Sequence, residues 1–122
     1  MNDRKTVLIC DDEPMLRELV RASLDAGYRF AEASDGVVAL ELAQELKPDA
    51  VILDLMLPRR SGLDVLADMR ADERLRDIPV FVVSAWPERR EAVLEAGADA
   101  FITKPFDPDE LKRSIERILQ AS

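Results

Sequence analysis

Asp11, Asp12, Glu13, Asp54, Ser84 and Lys104 each stand at or just past the end of a short apolar run. Carboxylates gathered within ~4–6 Å of one another disfavour each other's charge, so stability alone does not explain collecting them. Oxygen-rich clusters of this kind suit Mg²⁺, which takes one or two carboxylates, a carbonyl and several waters. A carboxylate held by such a cation beside an ammonium is also a nucleophile towards phosphorus, giving an aspartyl phosphate. Metal and lysine would then stabilise charge on the phosphoryl oxygens in the transition state. Taken singly, each residue has an ordinary structural reading as a turn, helix cap or strand end. Their convergence is what points to chemistry.

That chemistry needs the residues to meet, and the order of elements supplies the means. Apolar runs at TVLIC (6–10), RFAEA (29–33), AVIL (50–53), VFVVS (80–84) and AFIT (100–103) alternate with helical patterns. Residues 15–26 set Leu16, Leu19, Val20 and Leu24 on one face, and residues 36–46 do the same with Ala39, Leu40, Ala43 and Leu46. Residues 63–71 carry Leu63, Leu66 and Met69, residues 88–96 carry Ala92, Val93 and Ala96, and residues 109–120 carry Leu111, Ile115, Ile118 and Leu119. Punctuation agrees. Asp35 and Gly36 precede the second helix and Lys47-Pro48-Asp49 ends it, while Pro79 opens the fourth strand. Gly97 is expected as a left-handed cap, and Pro108 sits near the start of the last helix.

This alternation predicts a doubly wound α/β domain, (βα)5, whose parallel sheet is covered by helices on both faces. The unbroken apolar runs at 50–53 and 80–84 should be central strands. In an open parallel sheet, ligands bind beyond the carboxyl ends of the strands. The polar residues named above share that edge.

The 122 residues suit one domain, taken as 1–122, and 48% hydrophobic content can fill a core. Acidic residues outnumber basic ones 25 to 17, for a formal charge of −8, which makes direct nucleic-acid binding a poor expectation. Cys10 is the single cysteine, expected to be buried without a redox role and in keeping with a reducing compartment. No stretch approaches the ~20 apolar residues of a membrane span. The first apolar run is cut off by Asp11, Asp12 and Glu13, unlike a signal peptide. A cytoplasmic protein without membrane contact is expected.

At VLICDDEP (7–14), DLMLP (54–58) followed by Gly62, SA (84–85) and AGADAFITKPF (96–106), the chain closely resembles the response-regulator receiver domains of two-component signalling. The likeness runs from about Lys5 to Leu119. It implies strand order 2-1-3-4-5. It implies Asp54 as phosphoacceptor, and Mg²⁺ (or Mn²⁺) held by Asp11, Asp12, Asp54 and the backbone carbonyl of Met56. Lys104 would contact the phosphoryl group, on a loop with a cis bond to Pro105. Ser84 and Phe101 would form a switch: on phosphorylation the hydroxyl turns to the phosphoryl oxygens and the ring moves inward. The surface of the fourth helix, fifth strand and fifth helix would be remodelled.

The implied phosphodonor is a histidine kinase or histidine phosphotransfer protein, and the implied readout is an output partner or a covalently linked effector domain. A phosphorylation-dependent dimer is compatible with this. The chain would be no enzyme beyond its own phosphotransfer and autodephosphorylation. It ends at Ser122, and no effector domain is expected within it.

The chain departs from the family pattern at several positions. Arg59-Arg60-Ser61 stands where the family often has glycine and an acidic residue. These arginines could attract the phosphohistidine protein, screen the acidic pocket, or be solvated surface charge. Trp86 is bulky for its place and would shield the phosphoryl group from water, which predicts slow autodephosphorylation; a half-life of seconds would count against that. Phe101 stands where a tyrosine is common.

Three rivals are open. A haloacid-dehalogenase-type phosphohydrolase needs Asp-x-Asp, and no aspartate stands two after Asp11. A flavin carrier needs Ser, Thr or Gly donors in its first loop. A receiver-like scaffold would never be phosphorylated.

Overall fold

Burial dictates the middle of the sheet. β3 (Ala50–Asp54) and β4 (Val80–Ser84) are buried at every residue, as runs covered on both faces must be. The computed structural model describes residues 4–24 and 27–119. The other strands are β1 (Lys5–Cys10), β2 (Tyr28–Ala33) and β5 (Ala100–Thr103). The helices are α1 (Pro14–Leu24), α2 (Gly36–Leu46), α3 (Gly62–Ala71), α4 (Arg90–Glu95, entered by a 3₁₀ turn at Pro87–Arg89) and α5 (Pro108–Leu119). All strand pairs are parallel, in the order β2-β1-β3-β4-β5. Residues 25–26 of the expected first helix and residue 120 of the last lie outside the described residues.

Alternate strand residues feed two separate cores, because successive side chains point to opposite faces. Leu8, Val51, Leu53, Val80 and Val82 pack with Ala39 and Ala43 of α2, Leu66 and Met69 of α3, and Val93 of α4. Val7, Ile9, Ile52, Phe81 and Val83 pack with Val20 and Leu24 of α1 and with Leu111 and Ile115 of α5. The helices are thus split between the two faces.

Some expected helix faces are covered only in part. Leu19, Leu46 and Leu63 are exposed, and so are Ala92 and Ala96, leaving Val93 as the buried residue of a short α4. A 3.6-residue stripe wider than the neighbouring surface leaves its margins in water. Asp54 is the last residue of β3 rather than the first beyond it.

The caps follow their residue types. Asp35 accepts the Val38 N–H at 2.8 Å and Ser61 the Asp64 N–H at 3.1 Å, each satisfying an orphan donor of a helix start. Gly97, at φ 114°, ends α4 as expected.

Gly62 has a different task. Its N–H donates to the Leu55 carbonyl at 2.9 Å, and a Cβ there would overlap the Asp54 carbonyl oxygen. Replacing it with alanine must push the loop bearing Met56 off the end of β3. Gly62→Ala should cost on the order of 1–3 kcal/mol, seen as a melting temperature lower by roughly 5 °C or more. An unchanged melt would contradict this packing.

Candidate functional site

Parallel strands in register finish together. Cys10 pairs with Leu53, Asp54 with Val83, and Ser84 with Thr103. One residue beyond β1 or β5, or the last residue of β3 or β4, therefore reaches the same edge. Asp11, Asp12 and Asp54 each offer a carboxylate oxygen, and these oxygens lie within 4.8 Å of one another. The Lys104 Nζ stands 3.1 Å from Asp11 Oδ2 and 3.3 Å from Asp54 Oδ2.

Loop amides aim the two buried carboxylates. Asp11 Oδ1 accepts the Glu13 N–H at 2.9 Å, and Asp54 Oδ1 accepts the Met56 N–H at 3.2 Å. The second oxygen of each faces Lys104. Asp11 and Asp54 are 3% and 6% exposed, whereas Asp12 is exposed. Burial pushes the Asp11 carboxyl above its ordinary range, with the Asp54 charge adding to this and the Glu13 amide and Lys104 opposing it. Burial works to lower the Lys104 ammonium, but its hydrogen bond to Asp11 and the charges of Asp54 and Asp11 outweigh it, so the net shift is upward. The site thus combines two inward carboxylates, one carboxylate open to solvent and the Lys104 ammonium that meets the inward pair.

Ser84 is buried, its Oγ accepting the Trp86 N–H at 3.0 Å. Its carbonyl accepts the Lys104 N–H at 2.7 Å, tying the lysine loop to the end of β4. The Lys104–Pro105 bond is cis. Trp86 is half-buried, with the Arg89 guanidinium 5.5 Å from its ring centroid.

Phe101 is 6% exposed and packs in the core beneath α2, α3 and α4. The ring therefore stands inward in this structure. The Arg90 side chain holds its carbonyl at 3.1 Å. Cys10 is buried, and burial, with the Asp11 charge, pushes its thiol far up, which suits a packing role.

Arg59 and Arg60 are engaged. Arg59, at φ 68°, pairs with Asp35 at 3.1 Å, and Arg60 pairs with Asp68 at 2.6 Å. The loop reaches α2 because the Gly36 N–H donates to the Pro58 carbonyl at 3.0 Å. None of the three sequence readings of these arginines included such partners.

Sequence reasoning also missed Arg17, which bonds the Asp11 carbonyl at 2.7 Å and Glu32 at 2.8 Å. Arg17 and Arg21 stand one helical turn apart and both grip Glu32 of β2, a pairing that no spacing along the chain signals. A groove of about 750 Å³ opens beside Lys104, lined by Met15, Leu16, Leu19, Pro105 and Phe106.

Parallel order 2-1-3-4-5 with acidic residues after β1, an aspartate ending β3 and a lysine after β5 defines a class as well as a site. A family model described as the response regulator receiver domain matches residues 7–116. The chain belongs to that family.

It is 39% identical over 117 residues, 93% of this chain, to the DNA-binding dual master transcriptional regulator RpaA of Synechocystis, covering 48% of that protein. The chain spans about half the length of the curated relatives it matches. Among solved structures it is similar to the receiver domain of the sensor histidine kinase PA1611 of Pseudomonas aeruginosa, which has magnesium coordinated in its active-site cleft. The TM-score is 0.86 and the identity 30%, over 96% of this chain and 98% of that one. It is also similar to the Mn²⁺-bound form of response regulator Rcp1, with a TM-score of 0.82 and 25% identity over 97% of this chain and 96% of that one. Receiver membership leaves the phosphohydrolase and flavin-carrier readings without support. No helix among the described residues is long and apolar enough to cross a membrane.

Proposed function

We propose that this receiver domain takes a phosphoryl group from a histidine kinase or histidine phosphotransfer protein onto Asp54. One observation carries the reading: three carboxylates within 4.8 Å of one another share an edge with Lys104, 3.1 Å from Asp11 and 3.3 Å from Asp54. The donor set is all hard oxygen and fits Mg²⁺, with Mn²⁺ as an alternative. Asp11, Asp12, Asp54 and the Met56 carbonyl would hold the ion. Bound there, it supplies positive charge against the crowded carboxylates and the phosphoryl oxygens.

The chain's own residues do the rest. An Asp54 oxygen forms the new bond to phosphorus as the P–N bond of the donor histidine breaks. Lys104 leaves Asp54 and turns to the phosphoryl oxygens. The groove between α1 and the loop after β5 borders Lys104, and its apolar lining suits a helical donor.

The new dianion draws the Ser84 hydroxyl from the Trp86 amide, with Phe101 packed inward behind it. The α4–β5–α5 surface then signals to an output partner or linked effector domain, or pairs two copies. Residues 1–122 act as the receiver unit, in the cytoplasm, with no direct nucleic-acid contact and no catalysis beyond self-phosphorylation and autodephosphorylation.

Trp86 is the only tryptophan in the chain, so its fluorescence reports on the site directly. Mg²⁺ titration should quench it and raise the melting temperature by binding the folded state. A small phosphodonor should then add one phosphoryl group to the intact mass. A melt unmoved by millimolar Mg²⁺ sinks the metal site. Binding of Mg²⁺ without any added mass leaves the unphosphorylated scaffold as the better reading.

A further inference from the structure

We propose that Arg17 is a positioning residue for the acidic pair, acting through the backbone between Asp11 and Asp12. The inference rests on the metal site proposed above. The Asp11 N–H donates to the Ala33 carbonyl at 3.0 Å, and the Asp11 carbonyl accepts from Arg17 Nη1 at 2.7 Å. Both polar groups of the Asp11 backbone are therefore held from β2 or α1. The Asp11 carbonyl belongs to the peptide plane that leads into Asp12, and a peptide plane is rigid. Fixing its carbonyl fixes the direction in which the Asp12 chain departs.

On its far side the Asp12 backbone is tied by the Glu13 N–H to Asp11 Oδ1 at 2.9 Å, and no protein donor among the described residues holds the Asp12 side chain. Its carboxylate is exposed and accepts no hydrogen bond among the described residues, yet one of its oxygens stands with those of Asp11 and Asp54.

Arg17 is itself held. Its Nε bonds Glu32 Oε1 at 2.8 Å, and Arg21 takes Glu32 Oε2 at 2.9 Å. The Arg21 guanidinium lies 5.7 Å from the Phe30 ring centroid. The Arg17 side chain is only 17% exposed, so its planar fork is confined, one nitrogen committed to β2 and another to the acidic loop. Partners that orient ligands without touching the ion commonly govern affinity at such sites.

The sign of the effect separates positioning from charge. Arg17 is a cation near a cation site, so by Coulomb's law alone its removal tightens Mg²⁺ binding. Loss of positioning weakens it. The experiment is Mg²⁺ titration of the full chain, followed by Trp86 fluorescence and calorimetry, at a temperature where circular dichroism confirms folding. Arg17→Met should raise the Mg²⁺ Kd about tenfold, and Arg17→Lys should recover part of the loss.

Should Arg17→Met not fold, Arg17→Gln removes the same charge with a polar side chain in its place, and Kd should rise about threefold on the same reasoning. Wild-type protein that binds no Mg²⁺ overturns the metal site of the proposed function. Wild-type protein that binds Mg²⁺ while a folded variant binds it equally or more tightly overturns the role of Arg17 alone.

Discussion

Asp54→Asn protein, mixed with a small phosphodonor and millimolar Mg²⁺, gains no phosphoryl mass, whereas the wild type gains one group. The loss should be complete, because a neutral amide oxygen does not act as the attacking carboxylate does. The substitution keeps the shape of the side chain. The Met56 N–H still finds an oxygen where it now meets Asp54 Oδ1 at 3.2 Å, and Lys104 keeps Asp11 at 3.1 Å.

Removing one of two buried like charges also relieves their mutual repulsion. Without metal the variant should therefore melt no lower than the wild type, and absence of mass cannot be ascribed to unfolding. Mg²⁺ should bind it more weakly, since one of three carboxylates is gone. Modification of the variant at the wild-type rate would move the acceptor to another residue and end the assignment of Asp54.

Lys104→Met should lower the melting temperature of the metal-free protein by about 10 °C, and Mg²⁺ should restore more of it than it adds to the wild type. The lysine side chain is 18% exposed, against 5% for Asp11 and 8% for Asp54. Breaking a buried pair by removing one partner costs about 3–5 kcal/mol, because charge is left uncompensated. Partial exposure of the lysine argues for the lower end, which converts to roughly that shift for a domain of this size. A divalent ion then does what the ammonium did, and linkage stabilises the folded state in proportion.

Phosphoryl transfer should stay slow even with metal, by a factor on the order of 10², since a donor to the developing charge is missing. The pH dependence has a defined sign. The ammonium's folded pKa is raised, so its contribution is complete below the unfolded value of about 10.4 and fades as pH climbs through the folded one. Asp11 runs the same way, in a lower pH range. Its raised carboxyl favours the folded state when protonated, so stability from this group falls as pH rises from about 3.9 through its folded pKa. A metal-free Lys104→Met protein that melts at or above the wild type would show that the ammonium is not what holds the carboxylates together.

Much of the architecture could be read from residue types. The runs at 80–84 and 100–103 are strands with those bounds, because unbroken β-branched apolar stretches closed by turn residues have few other ways to be buried. Parallel pairing follows from strands separated by helices, and parallel strands must end on one edge. That is why residues as far apart as Asp11 and Lys104 could be placed together before any distance was known. The strand order came from the family likeness, since hydrophobic period carries no information about which strands are neighbours.

Tertiary structure decided the rest. Period tells which residues share a helix face, not how much of that face a neighbour covers, so Leu19 and Leu46 share the apolar faces of their helices and yet lie exposed. Arg17 with Glu32, Arg60 with Asp68 and Arg70 with Asp99 are ion pairs that no spacing rule specifies. Their partners meet only after helices and loops dock on the sheet. The inward position of Phe101 is likewise a packing outcome. Local chemistry and periodicity are written along the chain, whereas contacts between elements depend on distances that exist only once the chain has folded.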